Sequence, residues 1–130
     1  MANPSIPEDL RRFVLTSIPS VPFLEALLLM RADLSQAWRG DTLAARLYVR
    51  EKTAEALLND LCTAGMAERY DAPAGPAYRY QPESALLRAR IDGLAELYAS
   101  HLVEVTLLIH STLDRKAQQF ADAFKWRKDA

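Results

Sequence analysis

Residues 40–82 read GDTLAARLYVREKTAEALLNDLCTAGMAERYDAPAGPAYRYQP, and the rest of the chain is arranged around them. Leu43, Ala44 and Leu47 repeat at helical spacing. Ala54, Leu57, Leu58 and Leu61 do so again at i, i+3, i+4 and i+7. These spacings predict two amphipathic helices meeting at a corner around Tyr48. Gly65 stands where a helix needs a left-handed terminator. Two extended runs follow, Met66–Tyr70 and Ala77–Tyr80, separated by the turn-rich Asp71–Pro76.

Two crossed helices followed by a β-hairpin is the plan of a winged helix-turn-helix. The segment TLAARLYVREKTAEALLNDLCTAGMAERY resembles the core of MarR-type and related bacterial transcriptional regulators. In that family a Thr-Leu-Ala helix leads into a Gly-Val-Ser turn, and the recognition helix ends in Leu-x-x-x-Gly-Leu. The resemblance covers about Thr42–Tyr80, under a third of the chain. Four residues depart from it, in three places. Tyr48 takes the place of the glycine, Arg50 stands where a capping serine is usual, and Ala56 and Asp60 replace arginines on the outward face. A bulky residue in a left-handed turn is strained, so the sequence predicts an open turn or a strained Tyr48. A missing cap serine forgoes about 1 kcal/mol.

Working outward, Pro7, Glu8 and Asp9 suit a first helical turn, and Leu10, Phe13, Val14 and Ile18 give that helix an apolar face. A second helix opens at Ser20-Val21-Pro22; Phe23, Leu24, Leu27, Leu28 and Met30 make it apolar around much of its circumference. Leu34 and Trp38 are expected to drop into the core from the connector, and Asp41 to cap the third helix. After Gln81-Pro82-Glu83 the apolar series Leu86 to Ile109 predicts one long helix running through Gly93. A final helix carries Phe120 and Phe124, with Lys125–Lys128 at its end. The expected fold class is mainly α, with a small β-hairpin: an N-terminal helical arm (1–20), the winged helix-turn-helix (21–82) and C-terminal helices (83–130).

The chain has 130 residues, half of them hydrophobic and a quarter charged, which suits one domain with a real core. Its net charge of −1 gives no global field for nucleic acid, so binding must come from a local patch. Cys62 is the single cysteine; it forms no internal disulfide and reads as an apolar filler. The longest apolar run, Ala26–Met30, is too short to cross a bilayer, and the N-terminus does not read as a signal peptide. A cytoplasmic protein without membrane association is expected.

Base edges and phosphates need donors. Arg50, Lys52, Thr53 and Asn59 on the helix at about 50–64, with Arg69 and Arg79 on the wing at 67–80, are the candidates for contacting double-stranded DNA. Between Asp41 and Pro82, however, five basic residues face six acidic ones, and Glu55 and Asp60 share the reading face. Phosphate neutralisation carries most nucleic-acid affinity, so two readings stay open: a DNA-binding regulator, or a winged helix that binds a protein partner. Leu97, Leu102, Val105, Leu108, Ile109, Phe120 and Phe124 are the expected homodimer interface, because the long helix carries more apolar positions than a small domain covers. In the resembling family, helices outside the winged helix make the dimer.

No cofactor motif, phosphate loop or metal-ligand spacing is present. His101 and His110 lie on opposite sides of a helix, and Ser100 beside His101 makes no dyad if both are helical. No enzyme activity is expected. A ligand pocket lined by Trp38, Tyr48, Tyr98 and His101 is the remaining possibility, against their ordinary role as aromatic core residues.

Overall fold

The computed structural model describes residues 6–111. In chain order they form α1 (Glu8–Ser17), α2 (Val21–Ala32), α3 (Gly40–Leu47), α4 (Glu51–Thr63), β1 (Ala67–Ala72), β2 (Gly75–Tyr80), α5 (Ala85–Ser100) and α6 (Leu102–Ser111). This is a mainly helical winged helix-turn-helix with a two-stranded antiparallel wing.

α2 and α5 start where side chains satisfy free amides. Ser20 Oγ accepts from Phe23 N–H at 3.2 Å, and Ser84 Oγ from Leu87 N–H at 3.1 Å. At α3 the N-cap is Arg39 and not Asp41. Thr42 Oγ1 reaches back to accept from Arg39 N–H at 2.8 Å, so the helix starts earlier, and Asp41 sits in its first turn. α4 begins at Glu51, and its N-cap Arg50 makes no side-chain cap, as its residue type implies.

Two left-handed corners frame α4. Gly65 (φ +76°) closes it in a Schellman motif: its N–H donates to Cys62 O at 3.0 Å and Met66 N–H to Leu61 O at 3.0 Å. Leu61 and Met66 are both buried. At the other corner Tyr48 has φ 57° and ψ 44°, so the turn is not open; it is left-handed at a bulky residue, an arrangement that costs about 1–2 kcal/mol. Its side chain is 94% exposed and gains no burial in return.

α3 packs on α4, α2 lies across α3, α4 and β2, and α1 packs on α5. One contiguous core joins Phe13 and Val14 of α1, Phe23, Leu24 and Leu27 of α2, Leu58 and Leu61 of α4, and Ile91 and Leu94 of α5. Gly93 allows the close approach of α1, since a Cβ there would lie 3.3 Å from Leu10 Cδ2. Trp38 drops into this core at 1% exposure, whereas Leu34 stays 66% exposed, correcting the expectation for that residue.

The wing is longer than the sequence implied. β1 and β2 pair from Ala67 with Tyr80 to Ala72 with Gly75, which leaves Pro73-Ala74 as the turn. Trp38 adds a third, single-residue rung: its N–H donates to Tyr78 O at 3.1 Å and its carbonyl accepts from Tyr78 N–H at 2.8 Å. The wing is thereby anchored to the core through a buried tryptophan.

The predicted long helix is two helices. α5 ends at Ser100 with His101 as its non-helical cap (φ −133°), and α6 starts at the next residue. Leaving the helix turns His101 back, so that Ser100 Oγ and His101 Nδ1 lie 2.7 Å apart, a contact that an unbroken helix forbids. Ser100 Oγ also donates to the Glu96 and Leu97 carbonyls, which makes it part of the end of α5. Phe120 and Phe124 lie outside the described residues.

Candidate nucleic-acid interface

The inward face of α4 is Ala54, Leu57, Leu58 and Leu61, all buried. Helical geometry turns Lys52, Thr53, Glu55, Ala56, Asn59 and Asp60 outward, and all six are exposed. Arg50 is exposed at the start of the helix, as are Arg69 and Arg79 on the wing. The six residues proposed from sequence as DNA contacts are therefore all accessible, but not all uncommitted.

Arg79 is engaged within the wing. It pairs with Glu68, its register partner, at 3.1 Å and lies over the Tyr70 ring at 4.7 Å. An exposed pair of this kind is weak and its charges cancel locally. Asn59 is tied to the wing as well, its Oδ1 accepting from the Tyr78 hydroxyl at 3.2 Å. The bond joins the middle of α4 to β2, so helix and wing present one surface. Arg69 is the register partner of Tyr78 on that hairpin. Arg46, just before the corner, lies over the Trp38 ring at 5.8 Å. Cys62 is half-buried; burial pushes its thiol up, more than nearby Arg69 pulls it down.

Comparisons define what this geometry is like. No family model matches the chain, and no curated relative matches it either. Solved structures do. A point mutant of MepR from S. aureus is 13% identical, with 94% of this chain and 88% of that one covered and a TM-score of 0.56. Mb0332 from Mycobacterium bovis, described as a homodimeric winged helix-turn-helix DNA-binding domain of a possible ArsR-family regulator, is 18% identical, with 80% and 95% covered and a TM-score of 0.54. In fold the chain is similar to MarR- and ArsR-family transcriptional regulators. A different point mutant of MepR, solved bound to an oligodeoxyribonucleotide, is 14% identical, with 93% and 89% covered and a TM-score of 0.50. At such identities the likeness to these winged-helix regulators is one of fold.

The four residues expected to line an aromatic pocket are scattered. Trp38 is in the core, Tyr48 is in solvent, and Tyr98 is buried with its hydroxyl donating to Glu25 Oε1 at 3.0 Å, while His101 sits at the α5–α6 break. Neither groove found among the described residues is lined by any of the four. An open groove of about 870 Å³ lies instead between α1 and the start of α5, with Arg12, Phe13, Glu83 and Leu87 along it. Asp9 and Arg90 pair at its side at 2.8 Å. No sequence signal announces this groove, because it depends on how α1 crosses α5.

Three of the residues expected at a dimer interface, Leu97, Val105 and Ile109, are buried in the chain's own core. They repeat on the side of α5 and α6 that faces inward; of the other expected residues that are described, Leu102 is exposed and Leu108 is half-buried against the core. The exposed apolar side chains there are Leu102, Val103 and Leu107, with Leu108 half-buried.

Proposed function

We propose that the protein is a cytoplasmic transcriptional regulator that binds double-stranded DNA through α4 and the wing. The observation that carries this reading is the outward face of α4, open from Arg50 to Asn59 and continuous with the wing through the Asn59–Tyr78 bond. Arg50 and Lys52 neutralise phosphates, and Thr53 and the side-chain amide of Asn59 reach base edges, where asparagine pairs with adenine. Arg69 serves the wing. Arg79 joins only by leaving Glu68, so its contribution is the smallest. No single described helix is long and apolar enough to cross a membrane.

The regulator acts as a homodimer through α6. Leu102, Val103 and Leu107 form an apolar strip with no cover among the described residues, and a two-fold pair of reading helices matches palindromic sites. The likeness to the homodimeric Mb0332 domain supports this arrangement.

Fluorescence anisotropy with genomic fragments at low salt tests the DNA reading. Binding at or below micromolar protein, weakening steeply with salt, is expected. No binding at micromolar protein ends it. One observation favours a second reading, a protein-binding winged helix: Glu55 and Asp60 lie exposed on the same face as Lys52, and Glu68 cancels Arg79. On that reading a partner with a basic face docks on α4, and DNA does not.

A further inference from the structure

The corner between α3 and α4 is built against local preference. A tyrosine occupies a left-handed backbone position (φ 57°, ψ 44°) that glycine fills without strain. Strain of this kind persists only where the surrounding structure enforces it, and it clusters at functional sites. Burial is the usual reason, and it is absent here, since Tyr48 is 94% exposed. The corner's own hydrogen bonds do not need the side chain either. The Tyr48 and Val49 amides both donate to the Ala44 carbonyl, bonds that any residue makes. What the fold does with the strained backbone is to hold the ring out in water.

The charges around it differ from those of the whole reading domain. Between Arg46 and Lys52 there are three cations, Arg46, Arg50 and Lys52, and one acid, Glu51; all three cations are exposed. From Asp41 to Pro82 acids outnumber bases by one. Positive charge is thus gathered at the corner, while the wing's Arg79 is neutralised by Glu68. A phenol with three exposed cations within four residues of it in the chain, one of them lying over the Trp38 ring, suits a phosphodiester: the hydroxyl donates to a phosphate oxygen and the ring lies along the sugar.

We infer that Tyr48 is a DNA-backbone contact, and that the corner it occupies anchors the duplex more firmly than the wing does. This rests on the DNA-binding reading above and adds to it a residue outside the expected contact set. It also explains how a nearly neutral domain binds a polyanion, because only the corner has to meet the phosphates.

The test uses the full chain, a labelled mixed-sequence duplex at low salt and three variants. Phosphate contacts do not depend on sequence, so this probe reports them. Tyr48→Phe keeps the ring and removes the donor, and is expected to weaken binding about three- to tenfold. Its salt dependence stays that of the wild type, since no charge is lost. Tyr48→Gly weakens binding at least as much and yet does not lower the melting temperature, because release of the strain offsets the freedom that glycine adds to the unfolded chain. Arg79→Ala changes affinity less than Tyr48→Phe does. Tyr48→Phe binding like the wild type, Tyr48→Gly melting below it, or Arg79→Ala losing more than Tyr48→Phe overturns the inference while leaving DNA binding intact. A wild-type chain that does not bind the duplex overturns both.

Discussion

Gly65→Ala tests the corner that joins α4 to the wing. The glycine has φ +76°, and an L-residue there costs about 1–2 kcal/mol. The unfolded chain loses freedom when glycine becomes alanine, which offsets about 0.4–1 kcal/mol of that. A Cβ at this position would collide with Glu83 Cδ and stand 2.5 Å from its Oε2, so that carboxylate has to move. Glu83 is exposed and long, and its backbone bond to Gly65 O (2.9 Å) does not involve the side chain, so swinging it aside adds little. The net loss is about 1 kcal/mol, or a fall of about 3–5 °C in melting temperature for a chain of this size. Thermal unfolding followed by circular dichroism reads it directly. Gly65→Asn should lose roughly half as much, because asparagine tolerates the left-handed region. Gly65→Ala melting at or above the wild type would refute the reasoning.

Trp38→Ala empties a site 1% exposed and loosens the rung to Tyr78; a loss of about 3–5 kcal/mol is expected, seen as a melting temperature lower by more than about 10 °C. Burial and the hydrogen bond to Glu25 raise the Tyr98 phenol above its ordinary value of 10.0. Its contribution to stability is therefore complete below that pH and lost as pH rises through the folded value; urea melts of Tyr98→Phe should show a smaller alkaline loss than the wild type. Burial raises the Cys62 thiol, so at about pH 8 iodoacetamide should label the folded chain more slowly than the urea-unfolded one, as followed by mass spectrometry.

The parts of the fold governed by local spacing were legible. Leu43 with Leu47 and Ala54 with Leu61 define the inward faces of α3 and α4, and Gly65 ends α4 because almost no other residue accepts its φ. The outward set from Lys52 to Asp60 follows from the same period. What escaped was non-local. The apolar series runs from Tyr98 to Val105 and Ile109 with helical steps on both sides of His101, so a one-residue break leaves no trace in the pattern. α3 starts at Gly40, with Arg39 as its N-cap, because Thr42 caps it from inside, which is invisible to a search for a capping residue at the start. The ties of Arg79 to Glu68 and of Asn59 to Tyr78 depend on strand register, which the turn-rich Asp71–Pro76 left undefined. The candidate contacts were thus identifiable as exposed residues, but their mutual engagement was not.

Backbone amide shifts of the isotope-labelled chain, recorded by NMR while an unlabelled duplex is added at low salt, bear on the reading surface residue by residue. DNA lying on α4 and its preceding corner predicts the largest changes from Tyr48 to Thr53, smaller ones at Asn59 and Arg69, and none along α1. Shifts confined to α5 and α6, or an unchanged α4, would contradict it.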